Sequence, residues 1–338
     1  MVLRLRLFVS FLVFATFLSA DPLHAIENIF KPLATPADLV SDLSILTLVI
    51  CAGVFLVVAA LLLYAVIRFG YREGDSRSEP PQVYGSNQVE IAWTVIPILI
   101  VFVLAVATAR ITSAVQDQKM PKDAVNVTVI AHQWWWEFRY PDLKIVTANE
   151  LHVPVSTEAQ RKFTFLTLKS ADVAHGFWVP QLAGKTDVIP NRTNTMWIDP
   201  RETGIYLGNC SEYCGTQHAK MELRVIVDSP GDFEKWVAAQ QQKAGAPESA
   251  DNQKVFLASA CIACHTVSGT RALGRSGPDL THLMSRQTLA STEEPNNAAT
   301  LRDWIKNPQR LKPGNSMPTI PMSDAKLDQM VAYLTTLH

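Results

Sequence analysis

The stretch "NCSEYCGTQHAKM", residues 209–221, places two cysteines, a histidine and a methionine within twelve positions, from Cys210 to Met221. Cys210, Cys214 and His218 recur every four residues, Met221 follows three later, and a β-type run, "MELRVIVD", begins at once. Two thiolates, an imidazole and a thioether are soft or borderline donors, and a thioether favours copper over zinc. Zinc would be satisfied by a Cys2His2 set but has no use for methionine, and a disulfide would need the cysteines alone. A second imidazole is available in "DVAHGFWVP", where His175 lies in a turn some 35 residues upstream. Copper sites in β-sandwiches draw one histidine from such an upstream loop and the rest from a late one, so the spacing favours copper, with zinc and a disulfide as the alternatives.

Outward from this stretch, the runs "VNVTVIAHQWWWEFRY", "KFTFLTL", "TNTMWID", "GIYLGN" and "ELRVIVD" are short, β-branched or aromatic, and separated by Pro, Gly, Asp and Asn. They predict an all-β sandwich or barrel over residues 111–230. "GDFEKWVAAQQQ" predicts a helix, "KAGAPESADNQ" has linker composition, and residues 251–338 predict a helical unit whose last helix lies in "SDAKLDQMVAYLTTLH". Residues 231–250 form the connection.

Upstream, a content of 48% hydrophobic residues over 338 positions is apolar for a soluble protein of this size and directs attention to membrane segments. "MVLRLRLFVSFLVFATFLSA" has Arg4 and Arg6 before an apolar run too short to span a bilayer, the form of a signal peptide over residues 1–25. Residues 44–67 and 91–109 contain no charge and match the roughly 20 residues of a membrane-crossing helix, giving a helical hairpin over residues 35–110. Its connecting loop holds Arg68, Arg72 and Arg77, whereas residues 21–43 hold only Lys31, so the loop is expected in the cytoplasm and both flanking ends outside. Cys51, inside the first span, reads as a small apolar packing residue. A formal charge of -1 leaves no basic excess for phosphates and argues against nucleic-acid binding.

The tail has its own motif, "CIACH" at 261–265. In Cys-x-x-Cys-His, Cys261 and Cys264 form thioethers to a porphyrin and His265 ligates its iron. A soft sixth ligand is expected in a later loop, and Met317 in "LKPGNSMPTIP" is the leading candidate over Met284, Met322 and Met330, the last of which reads as core.

Together, "CSEYCGTQHAKM", "AHGFWVP", "GKTDVIPNR" and "AHQWWWEFRY" closely resemble subunit II of the haem-copper cytochrome c oxidases over about residues 35–235, and the tail resembles a class I cytochrome c. The resemblance implies a multidomain membrane protein: a two-helix hairpin, a cupredoxin-like Greek-key sandwich and an all-α cytochrome c domain. It implies binuclear copper (CuA) bridged by Cys210 and Cys214, with His175 and His218 as terminal ligands, Met221 on one copper and the Glu212 backbone carbonyl on the other. It makes Pro278 of "GPDL" the carbonyl acceptor for the haem histidine, Trp134 the residue receiving electrons, and Glu90 of "NQVEIAWTVIP" the mouth of a proton pathway. His132 has no partner in the motif and reads as a core or interface histidine. Trp134, Trp135 and Trp136 cannot all point the same way on a strand, so at least one is expected to face solvent.

The implied function is transfer from an external cytochrome or other donor, through covalent haem c and CuA, to the oxygen-reducing subunit I, coupled to proton translocation. Partners are subunit I, other oxidase subunits and the bacterial inner membrane, with both redox domains on the periplasmic or outer side. A CuA-containing nitrous oxide reductase-like protein is the alternative, disfavoured by the hairpin. A quinol-oxidase-like subunit without copper is disfavoured by the complete ligand set. The linker, about Gly245 to Gln253, and nine basic against seven acidic residues over 251–338 predict a flexibly tethered donor held at high effective concentration.

Overall fold

A computed structural model describes residues 28–70, 82, 84–116, 120–244 and 249–338. The expected signal peptide, Arg72 and Arg77 of the hairpin loop, and residues 245–248 of the linker lie outside the described residues.

Two long helices come first, α1 (Thr35–Phe69) and α2 (Asn87–Gln116). Their apolar side chains, among them Phe55, Leu61, Ile98 and Phe102, are exposed on all faces; a helix with no polar stripe is suited to lipid. Each helix runs beyond its uncharged stretch, because the polar flanks find partners on the β unit. Thr35 donates its N–H (2.7 Å) and hydroxyl (2.6 Å) to Asp199, Arg201 grips Asp38 with both guanidinium nitrogens, and the Trp197 indole N–H donates to the Val115 carbonyl at 2.8 Å. The segment around residues 197–201 therefore seats the β unit on the outer ends of both helices.

That unit is two five-stranded sheets. One has the order β3 (Ile145–Ala148), β2 (Trp135–Tyr140), β1 (Val125–His132), β5 (Thr164–Ser170), β8 (Asn194–Ile198); the other, β4 (Glu150–Pro154), β10 (Glu222–Asp228), β9 (Gly204–Cys210), β6 (His175–Trp178), β7 (Thr186–Val188). The β1–β5 and β4–β10 pairs are parallel and the others antiparallel. Alternation sets the facing: Val127, Val129 and Ala131 of β1 are buried and their neighbours are not, as period-2 side chains require. With Trp136, Phe138, Leu151, Leu166, Phe177 and Leu223 they build the inter-sheet core. The run around the tryptophans is not one strand. It folds back at Gln133–Trp134 into the β1–β2 hairpin, with His132 opposite Trp135.

Helix α3 (Pro230–Gln240) is capped by Ser229 and lays Trp236 against His152, ring centroids 4.4 Å apart. The C-terminal unit starts earlier than linker composition implies. Ser249 accepts the N–H of Asp251 and opens α4 (Ala250–Leu257), whose Phe256 is buried, so local capping overrides the small, polar residues. There follow α5 (Cys261–Cys264), α6 (Ala298–Lys306), α7 (Pro308–Leu311) and α8 (Asp324–Leu334), around a core of Phe256, Leu301, Ile305, Leu327, Met330 and Leu334. A small ribbon, β11 (Thr288–Leu289) with β12 (Glu294–Pro295), interrupts the helices, and its turn holds Ala290, Ser291 and Thr292 at positive φ.

Candidate metal centre and haem-attachment site

The copper-type donors meet because of strand pairing. β6 and β9 are antiparallel neighbours with Phe177 opposite Cys210, which brings His175, at the start of β6, beside the end of β9. The chain then turns through Gly215 and a single 3-10 turn, His218–Lys220, into β10. Cys210 Sγ stands 3.9 Å from His175 Nδ1, 3.8 Å from Cys214 Sγ and 3.2 Å from the Glu212 carbonyl oxygen. Cys214 Sγ stands 3.7 Å from His218 Nδ1 and 3.8 Å from Met221 Sδ. Sulfur-to-metal and nitrogen-to-metal bonds of about 2.3 and 2.0 Å can span such separations, so the donor set fits metal held between its members. Both cysteines are free thiols, His175 and Met221 are fully buried, and the set is soft.

The electrostatics favour a cationic guest. Cys214 and, against the cost of burial, His175 and two backbone groups hold the Cys210 sulfur far below the ordinary thiol range; that thiolate in turn pushes Cys214 far above it. The two adjacent sulfurs thus oppose each other's ionisation, and positive charge between them would remove that opposition. Burial alone would lower His175, yet Asp172 and Cys210 raise it.

Asp172, which no ligand motif signals, supports this site. Its carboxylate lies 2.7 Å from His175 Nε2 and accepts the N–H groups of Val173 and Gln133. It fixes the ring and leaves Nδ1 facing Cys210, as outer partners of metal-ligating histidines do. Gln133 and Trp134 belong here too: Gln133 Nε2 and Trp134 Nε1 donate to the Cys214 carbonyl at 2.8 and 2.9 Å. Gly215, at φ +112°, permits it, since a Cβ there would stand 3.1 Å from the Trp134 ring. None of the three tryptophans is exposed: Trp134 and Trp135 are half-buried and Trp136 fully buried. The expected solvent-facing tryptophan is absent because the hairpin turn is covered by the C-terminal unit. His132 stacks on Trp135 and lies 3.0 Å from Glu137, away from the donor set.

In the C-terminal unit, Cys261 and Cys264 are free thiols on the one-turn helix α5, half-buried and exposed respectively. His265 Nδ1 lies 2.7 Å from the Pro278 carbonyl, which selects the tautomer with Nε2 available to a metal. Burial depresses the imidazole below its ordinary range, keeping it in the neutral, ligating form. Gly277 makes room, because a Cβ there would approach His265 to 2.7 Å. Met330 lies in the helical core and Met284 and Met322 pack against it. Met317 instead sits in an irregular loop, its N–H held by Asn315 and its carbonyl by Gln309. Glu90 is exposed in the first turn of α2, remote in sequence from both sites.

A hairpin of lipid-suited helices, a β-sandwich with a Cys2His2Met set buried except for the half-buried His218, and a helical unit with Cys-x-x-Cys-His define a membrane-anchored electron-transfer protein of the cupredoxin and cytochrome c classes. Comparison with known proteins makes this specific. Residues 26–111 match the transmembrane domain of cytochrome c oxidase subunit II, residues 153–229 its periplasmic domain, and residues 249–338 cytochrome c. Cytochrome c oxidase subunit 2 of Alkalihalophilus pseudofirmus is 35% identical over 321 residues, 92% of this chain and 91% of that one; that of Bacillus subtilis is 32% identical over 91% and 90%. The solved periplasmic domain of cytochrome oxidase subunit II of Bradyrhizobium japonicum is 31% identical over 36% of this chain and 97% of its own, with a TM-score of 0.34. The chain belongs to the cytochrome c oxidase subunit II family and has a C-terminal cytochrome c domain. It is a membrane protein with a periplasmic domain, works among other oxidase subunits, and by family takes copper and haem.

Proposed function

We propose that this chain receives electrons on a c-type haem attached to Cys261 and Cys264 and delivers them, through a binuclear copper centre held by His175, Cys210, Cys214, His218, Met221 and the Glu212 carbonyl, to the oxygen-reducing subunit I. When bound, the haem and the copper pair supply one-electron redox chemistry. The observation that supports this reading best is the contact between the two halves. The loop bearing Met317 lies on Gln133 and Trp134, and both of those side chains donate to the Cys214 carbonyl.

The chain's own residues have simple tasks. The sheet-pinned loops hold the copper donors in one arrangement, and small rearrangement favours fast transfer. Asp172 orients His175, Pro278 orients His265, and the Met317 thioether would supply the sixth ligand to the haem iron. Trp134, in contact with the ligand loop, is the electron-receiving side chain of the copper domain. Glu90, at the cytoplasmic start of α2, gathers protons at the mouth of the uptake pathway; unchanged turnover in Glu90→Gln would remove it from that role.

EPR and optical spectra of the purified subunit test the assignment. A mixed-valence copper signal together with a c-type haem band is the expected result. Haem without a copper signal, or copper without covalent haem, overturns it.

A further inference from the structure

Two charged groups are buried where the cytochrome unit meets the copper unit, and neither has an ion-pair partner among the described residues. Glu150, first residue of β4, is 1% exposed. Its carboxylate accepts the backbone N–H of Gln287 (2.9 and 3.0 Å), the N–H of Thr288 (2.8 Å) and the Thr288 hydroxyl (2.7 Å). All of those donors belong to the other unit. Lys312, in the loop leading to Met317, is 3% exposed; its ammonium donates to the carbonyls of Trp134 (3.0 Å) and Ala290 (3.3 Å). Around them, Lys220 pairs with Glu293 at 2.8 Å, Thr292 donates to Glu222, Ser291 donates to the Trp134 carbonyl at 3.0 Å, and Gln217 donates to the Pro313 carbonyl.

This is not how a mobile donor meets its acceptor. Transient redox encounters keep their charges at a wet rim, where they steer approach and cost little to re-solvate. A carboxylate and an ammonium stripped of water are strongly disfavoured unless every lost hydrogen bond is replaced, and here all of the carboxylate's replacements and the ammonium's bond to the Trp134 carbonyl come across the interface. Undocking would return both groups to water but break at least five hydrogen bonds at once. Three consecutive residues at positive φ, Ala290 to Thr292, shape the turn that makes this fit.

We propose that Glu150 and Lys312 are positioning residues that clamp the cytochrome domain onto the copper domain in a single pose, so that it works as a docked relay and not as a shuttle on a tether. The positioning role rests on the electron order proposed above. In that pose Ser316, next to Met317, donates to the Gln133 carbonyl at 3.3 Å and Gln133 donates to the Cys214 carbonyl, a short polar route from the methionine loop to a copper ligand. The same pose covers the Trp134 turn, so external protein donors must deliver to the cytochrome domain, whereas a small reductant need not use that turn.

The test uses the assembled oxidase with a protease site placed within residues 245–248. After cleavage and washing, the C-terminal fragment of the unmodified interface stays with the complex. Glu150→Ala and Lys312→Ala each weaken its retention by roughly a hundredfold, from the unsatisfied partners left behind, and in the uncut enzyme they slow haem-to-copper transfer while direct reduction of copper by a small artificial reductant is unchanged. Glu150→Gln, isosteric and neutral, gives the same direction if the alanine variants fold poorly, with copper EPR and the haem band as the check on folding. Release of the fragment from the unmodified interface, or full retention and unchanged transfer in all variants, overturns the clamp. Retention with copper that is never reduced through the haem overturns the electron order instead.

Discussion

The two redox units solve the same problem in opposite ways. In the copper unit the donors come from β6, the end of β9 and the turn before β10, and every one of the sulfurs is buried within the sandwich. In the cytochrome unit the two cysteines proposed to attach haem sit on a single helical turn, three positions apart in sequence, one half-buried and the other exposed. A bare metal ion must be surrounded, so its ligands are gathered from distant strands by tertiary structure and pre-positioned by outer partners such as Asp172. A macrocycle fixed by two covalent bonds needs only a local motif to be captured. The proposed copper site thus depends on the sheet register, and the proposed haem attachment is as local as one turn.

The largest break in that comparison comes from the sulfurs. Cys210→Ser or Cys214→Ser should abolish the binuclear copper EPR signal and oxidase turnover while leaving the c-type haem spectrum intact, because the two units have separate cores. A normal copper signal in either variant would overturn the ligand assignment. Next, Met317→Ala should lower the haem potential and block copper reduction through the haem, with turnover restored by artificial donors that reduce copper directly; stopped-flow reduction at the unmodified rate would show that another residue ligates the iron. Asp172→Asn should leave the fold intact and reduce copper affinity about 10- to 100-fold, the usual effect of removing an outer-sphere partner, measured by competition with a copper chelator.

The smallest effect is in pH. Burial pushes Lys312 down to about 7, opposed by Glu293 and Glu222 and reinforced by Lys220. The undocked lysine, with its ordinary value of 10.5, therefore binds more protons than the docked one above pH 7. Raising the pH favours docking across the window between those values and has little effect below it. Retention of the cleaved fragment should tighten roughly fivefold from pH 7 to pH 8, and a flat or falling profile would show that Lys312 stays charged when docked. Lys312→Met should flatten the profile.

The sequence carried the chemistry that depends on spacing. Cys210, Cys214, His218 and Met221 lie close enough along the chain for one turn to gather them, Cys-x-x-Cys-His is local by nature, and the uncharged runs of the hairpin need only be counted. Strand runs were legible as well, through alternation, although the fold-back at Gln133–Trp134 was hidden because an unbroken aromatic run looks the same on either side of a hairpin turn. The start of α4 inside apparent linker composition was hidden for a related reason: a serine cap and one buried phenylalanine outweigh small polar neighbours.

Tertiary structure alone decided what lies between the units. Glu150 and Thr288 are 138 residues apart and Lys312 and Trp134 are 178 apart, and no periodicity or motif marks either pair. A glutamate at a strand start and a lysine in a proline-flanked loop are, as sequence, ordinary solvated charges. Whether they are solvated or buried depends on the surface that meets them, which is a property of the assembled fold. Linker composition described how far the cytochrome domain can reach, and the hydrogen bonds at its surface decided where it rests.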